Sequence, residues 1–282
     1  MVQLLQNLGV GGIIAVVFMA ISLIGMIVCA KKQHTVAIAK PMAVVLMIVV
    51  IMSAVVILMK TGVLGDQGTQ RIIANELTYA KAGYYMLGKQ LAEKVPGAKT
   101  LLIVEKTRPN DDRTPALIQA FKDGAAGKLT IAAMATPTVT WPEGRQPKPE
   151  EIDMMPMNEM LKAKDYNEVI DKYADCNLVV SFIGLPMDIE DLHVWTMPPE
   201  KRPKLGLINC AYHNLKNAIK SEVVVAVVGI NPTAKFDEQP APKEQKAAFE
   251  RRYIMITPEN VVQMADTYKN MFEAEKPPVK KK

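Results

Sequence analysis

Two uncharged stretches near the start of the chain set the first limit on its fold. Leu8 to Ala30 runs for 23 residues and Pro41 to Met59 for 19, and neither contains Asp, Glu, Lys, Arg or His. A hydrocarbon core of roughly 30 Å needs about 20 apolar residues at 1.5 Å each, so both stretches fit membrane-spanning helices. The plain alternative is a helical hairpin buried in a soluble core, where two adjacent uncharged segments of this length are uncommon. A cleaved signal peptide fits less well. Met1 to Asn7 has no Lys or Arg, and the first apolar run exceeds the core of about 7–15 residues such peptides carry. With no ionisable residue inside either span, no proton relay or ion-coupling site is expected there, which removes the main support for a transporter or channel.

The net charge of +5 is distributed in the same way. The chain up to Gly65 holds four lysines and no Arg, Asp or Glu, leaving 30 of the 34 basic residues against all 29 acidic ones. Three of those lysines lie in the ten-residue connection from Lys31 to Lys40. Short Lys-rich loops stay on the cytoplasmic side, which places both chain ends outside, with Lys60 as a weak counter-signal. Gly9, Gly11, Gly12, Ala15, Ala20 and Gly25 give the first span a small-residue surface for close helix contact.

Beyond a linker over 61–69, the pattern alternates between helix and strand. Helices are predicted over Gln70–Lys94, Thr114–Asp123 (ended by Gly124), Asn158–Tyr173, Tyr212–Lys220 and Pro258–Phe272, and strands over Thr100–Glu105, Leu129–Thr136, Asn177–Ile183, Lys204–Asn209, Val223–Ile230 and Arg252–Ile256. Strands such as Leu101-Leu-Ile-Val104 and Val223-Val-Val-Ala-Val-Val228 are continuous apolar blocks, as expected where helices cover both faces of a sheet. The expected fold is therefore α/β: a transmembrane hairpin over 1–60, then one doubly wound, mostly parallel sheet domain over 70–273, with a basic disordered tail over 274–282. Pro137–Pro156, with five prolines, and Ala234–Gln245 are expected to be long loops.

From about Tyr79 to Pro232 this order resembles one lobe of the type 1 periplasmic binding proteins and the related lac-repressor-like sugar sensors. Tyr84-Tyr85-Met-Leu-Gly88-Lys-Gln-Leu-Ala92 leading into Lys99-Thr-Leu-Leu-Ile-Val104 carries the resemblance, with Leu117–Gly124, Asn177-Leu-Val-Val180 and Lys204-Leu-Gly-Leu-Ile208. It implies the fold of a lobe outside the membrane. Sugar binding does not follow from it. The family's Arg-x-x-Gly-Phe pattern reads here Leu117, Ala120 and Phe121, its Asn-Asp is replaced by Gly184-Leu185-Pro186, and the chain supplies one lobe where the family closes two around a hinge.

In open α/β sheets ligands sit beyond the carboxyl ends of the strands. The segment Glu105–Arg113 is the most polar of these ends. Arg108 and Arg113 are candidate bidentate donors to an anionic or polar ligand, with Asp111 and Asp112 beside them; on the plainer reading, Asp111 or Asp112 simply caps the next helix. Asn209, His213 and Asn231 are further strand-end candidates. His34 and His193 are isolated, and Asp188, Glu190, Asp191 and His193 read as a solvated acidic face, so no metal is expected. Cys176 precedes one strand and Cys210 follows another, roughly 20 Å apart if the strands are parallel at about 3.3 Å per residue, so free thiols are expected. The chain has no Walker loop, G-x-G-x-x-G, G-x-S-x-G, H-E-x-x-H or C-x-x-C.

No enzyme, cofactor or nucleic-acid partner is indicated. The expected role is a structural or assembly subunit of a membrane-envelope complex, using a degenerate solute-binding-like lobe as a docking surface for membrane-protein partners or further copies of itself. The alternative is a membrane-anchored, extracytoplasmic solute-binding or sensing module with a small-molecule ligand. The two separate on one feature: a deep cleft at the strand ends favours binding, a flat apolar patch favours assembly.

Overall fold

The computed structural model describes residues 2–32, 36, 38–60, 67–107, 111–141, 157–234, 236, 239–268 and 271–272. The chain divides into two compact units, Met1–Ala74 and Asn75–Lys282.

The first unit is built on helices α1 (Val2–Lys32) and α2 (Ala39–Lys60), which pack together as a hairpin. Their windows Ile14–Lys32 and Ala39–Leu58 are long and apolar enough to cross a membrane, and only 11% and 6% of those windows are buried. A hairpin in a soluble core would hide such residues; here Phe18, Ile21, Ile24, Ile48 and Met52 face outward. The contact between the helices uses small residues. Ala15, Ser22 and Ser53 are buried, and a Cβ at Gly25 would lie 2.9 Å from Leu46 Cδ1. Ala20, expected on this face, is exposed, and Ser22 serves instead.

Helix α3 (Gln67–Lys94) runs across the division, and the second unit follows it. That unit is a six-stranded sheet of β1 (Lys99–Ile103), β2 (Thr130–Ala135), β3 (Leu178–Ser181), β4 (Lys204–Ile208), β5 (Val224–Ile230) and β6 (Tyr253–Ile256), ordered β2-β1-β3-β4-β5-β6. All neighbours are parallel except β5 and β6. The apolar blocks have the expected cause: β3 is buried throughout, and successive residues feed opposite cores. Leu102 and Val180 join Tyr84, Leu87, Leu91 and Phe121 on one face. Leu101, Ile103 and Val179 join Tyr166, Ile170, Ile219 and Val261 on the other. Edge strand β2 alternates in exposure, and its register skips Ala132, a bulge of the kind that blunts sheet edges.

The helices differ from expectation where side chains override periodicity. Gly124 does not end α4 (Arg113–Ala125); the helix ends at Ala126, which is left-handed at φ 49°. Gly124 is a crossing point instead. A Cβ there would lie 1.9 Å from Tyr85 O, and one at Gly88 of α3 would lie 2.2 Å from Phe121 O, so the two backbones touch through paired glycines. The single helix predicted over 158–173 is two, α5 (Met157–Met160) and α6 (Ala163–Lys172). Lys162 between them is extended, and its N–H and that of Ala163 donate to the carboxylates of Asp165 and Asp188 at 2.9 and 2.8 Å. The predicted helix 212–220 opens as a 3₁₀ turn, His213–Leu215, before α7 (Lys216–Lys220). Within the sequence after the expected 234–245 loop lies α8 (Gln245–Arg252), which was not anticipated. Its buried Arg252 sits 4.3 Å from the Tyr79 ring and 4.4 Å from that of Phe236, and donates to Glu76 at 3.1 Å. The last helix, α9 (Val261–Thr267), is shorter than expected because Asn260 ties the chain into a turn through Thr257 N and Met255 O. Helix α3 begins at Gln67, inside the expected linker 61–69; residues 61–66 of that linker, most of the predicted loop 137–156 and the expected tail 274–282 lie outside the described residues.

The glycine crossing yields a sign test. Alanine usually gains roughly 0.5–1 kcal/mol over glycine inside a helix. At Gly124 it must push two backbones apart, and we expect Gly124→Ala to destabilise by about 1–3 kcal/mol. Chemical denaturation of the detergent-solubilised chain reads this as a lowered midpoint; an unchanged or raised midpoint would contradict the close crossing.

Candidate functional site

Strand β1 lies between β2 and β3, so the chain leaves β1 towards one side of the sheet and returns on the other. The crevice outside the carboxyl ends of two strands at such a reversal is where open α/β sheets bind ligands. Here it holds a cleft of about 360 Å³. Its walls are Val104, Glu105 and Lys106 after β1, Asp111, Arg113, Thr114 and Leu117 at the start of α4, and Phe182 and Ile183 after β3; Tyr84 of α3 and Asn209 at the end of β4 complete it.

The floor is held by hydrogen bonds. Asn209 takes the left-handed conformation at φ 57°, which asparagine tolerates better than most residues. Its Nδ2 donates to the Tyr84 hydroxyl oxygen at 2.9 Å and to Phe182 O at 3.1 Å. Gly184, at φ 77°, leaves room for this turn, since a Cβ there would lie 2.5 Å from Asn209 O. Below it, the hydroxyls of Tyr166 and Ser181 both donate to Gly184 O at 2.5 Å. The rings pack edge to face, Tyr84 on Phe182 at 4.5 Å and Phe121 on Phe182 at 5.5 Å. Burial pushes the Tyr84 and Tyr166 phenols up, so both stay protonated donors across the physiological range.

The α4 side of the cleft is charged. The Asp111 carboxylate accepts the N–H groups of Arg113 at 2.9 Å and Thr114 at 3.3 Å. Hydrogen bonding from Thr114, its hydroxyl first, and the neighbouring Arg113 charge hold Asp111 below the usual carboxylate range. Asp111 is thus the helix cap, while Asp112 makes no side-chain cap.

Of the strand-end candidates, Asp111, Arg113 and Asn209 line the cleft, and Asp112, His213 and Asn231 do not. Arg108 lies outside the described residues. Asn231 shapes its own turn, accepting from Thr233 N and Oγ1 at 2.9 and 2.8 Å and donating to Glu250 O. Tyr84 and Phe182 were not anticipated as site residues: in the sequence they look like ordinary core positions. Asp188 is spent on the start of α6, and His193 Nδ1 lies 3.2 Å from Asp171. Among the described residues no three His, Cys, Asp or Glu side chains group as a metal site. The cysteines are free, and burial pushes the Cys210 thiol up to about 12, far from a reactive thiolate.

No protein-family model and no curated protein matches the chain. Similar solved structures include the arabinose-binding protein AraP from Geobacillus stearothermophilus, at TM-score 0.39 and 11% identity over 66% of this chain and 62% of that one. GanP, a glucose-galactose binding protein from the same organism, matches at TM-score 0.38 and 10% identity over 67% and 54%. The periplasmic binding component of an arabinose ABC transporter from Shewanella sp. ANA-3 matches at TM-score 0.43 and 10% identity over 71% and 65%. The chain thus spans less than two thirds of the length of these proteins.

The Asp111 cap makes a pH-resolved prediction. Asp111→Ala should cost about 0.5–2 kcal/mol at neutral pH. Because the folded-state pKa is depressed, that contribution is complete above the ordinary carboxyl value of about 3.9 and is lost as pH falls through the folded value. Melting curves of wild type and variant should differ by a constant amount above about pH 5 and converge in more acid solution. A gap independent of pH would contradict the charged cap.

Proposed function

We propose that the chain is a membrane-anchored module that binds a small polar solute in the β1–β3 cleft. In this reading α1 and α2 cross the membrane, the Lys31–Lys40 connection stays in the cytoplasm, and the α/β domain lies outside it. The observation that carries the proposal is the cleft itself. A volume of about 360 Å³ falls at the small end of the roughly 300–1,000 Å³ typical of ligand sites, and fixed polar groups converge on it. Preorganisation matters because groups already locked by their own hydrogen bonds cost little further entropy when a ligand arrives. The docking-subunit role expected first from sequence ranks second. It called for a flat apolar patch, and the cleft favours the solute-binding alternative.

Two measurements test the proposal. A thermal-shift screen of the full chain in detergent against sugars, amino acids, organic acids and nucleosides should find a stabilising ligand, and Asn209→Leu should weaken its binding by about tenfold or more, as the floor loses both Nδ2 bonds. No stabilising compound in any class would sink the binding role. Protease added to intact spheroplasts should digest the domain while sparing the Lys31–Lys40 connection; digestion only after the membrane is broken would reverse the orientation.

A further inference from the structure

The charge and shape of the cleft narrow the solute. Aromatic platforms, on which a neutral sugar ring would stack, are not offered: Tyr84 and Phe182 are only 4% and 5% exposed, and their faces are committed to each other and to Phe121. Of the acids, Asp111 directs its charge into the α4 backbone and Thr114, so the helix end is already filled. Arg113, by contrast, is exposed at the cleft wall, and among the described residues its guanidinium makes no hydrogen bond or ion pair. Its positive charge reaches the Tyr84 phenol and the Asp111 carboxylate, and Glu105, the other acid of the cleft wall, is engaged in an interaction of its own. At the floor, both Nδ2 bonds of Asn209 point into the protein, and its Oδ1 accepts nothing from the described residues, which leaves one acceptor open.

We infer that the cleft takes a small carboxylate bearing a hydrogen-bond donor, its carboxylate paired with Arg113 and its hydroxyl or amino group donating to Asn209 Oδ1. The inference rests on the reading of the cleft as a solute site. A guanidinium matches a carboxylate through two parallel N–H···O bonds. A phosphate dianion asks for more donors than one arginine and Lys106 provide, because the α4 N–H groups nearest the cleft are taken by Asp111.

Titration calorimetry on the full chain in detergent tests this with L-lactate and glycolate, with propionate and acetate as donor-free counterparts, and with D-glucose, D-ribose and inorganic phosphate. Lactate or glycolate should bind more tightly than its donor-free counterpart, and the affinity should fall with added salt. Arg113→Gln should weaken it by about tenfold or more, with Arg113→Lys in between and the ligand-free melting temperatures of both near wild type. A sugar that binds equally well to wild type and Arg113→Gln would overturn the carboxylate assignment and leave the cleft a solute site. Phosphate binding as tightly as lactate would also overturn it. No binding by any probe would overturn the inference, and the broader screen then decides the solute-binding reading.

Discussion

The reversal of strand order around β1 is the constraint on which the site depends. Since β1 is flanked by β2 on one side and β3 on the other, the segments leaving β1 and β3 diverge, and nothing in the sheet fills the space between their ends. Parallel pairing then brings together residues far apart in sequence. The turn after β1 supplies Glu105 and Lys106, the turn after β3 supplies Phe182, and Asn209 arrives from β4, one strand further on.

The second requirement is a helix that reaches the cleft from the side. Helix α3 does so because Gly88 and Gly124 let it lie directly on α4, with Leu91 filling the space above Gly206 of β4. That seating sets Tyr84 against Phe182 and within reach of Asn209. The polar floor is therefore a consequence of packing. Three groups from α3, β3 and β4 share one hydrogen-bonded point, and the buried phenol stays neutral, so the floor donates and accepts without adding a charge of its own. Charge enters from two walls: Glu105 and Lys106 follow β1, and at the start of α4 Asp111 and Arg113, two residues apart, do opposite work, one closing the helix end and the other carrying a guanidinium with no hydrogen bond or ion pair among the described residues.

Much of this was legible in the sequence, and the limits have physical causes. Continuous apolar blocks at Leu101–Val104 and Val223–Val228 announced strands covered on both faces, and the two uncharged stretches announced α1 and α2. The strand-end rule found Asp111, Arg113 and Asn209. The same rule proposed His213 and Asn231. Asn231 misses the cleft because it follows β5, two strands beyond β3, and sequence gives the strand ends but not the strand order. His213 follows β4 as Asn209 does but sits four residues further on, in the 3₁₀ turn that leads into α7. Tyr84 escaped notice because a tyrosine in an apolar helix face has no local mark of function. Gly124 was misread as a stop because a glycine that ends a helix and one that admits a neighbouring backbone look alike in one dimension. The break at Lys162 depends on Asp188, 26 residues away, and no periodicity carries that information.

The central claim is that the crevice between β1 and β3 is where a solute binds. Hydrogen–deuterium exchange on the full chain in detergent, with and without a saturating stabilising ligand, tests it most directly. The account predicts added protection confined to 104–117, 182–185 and 208–210, with the hairpin 2–60 unchanged. Protection elsewhere, on the α1–α2 hairpin or around β6 with these three segments unaffected, would contradict it.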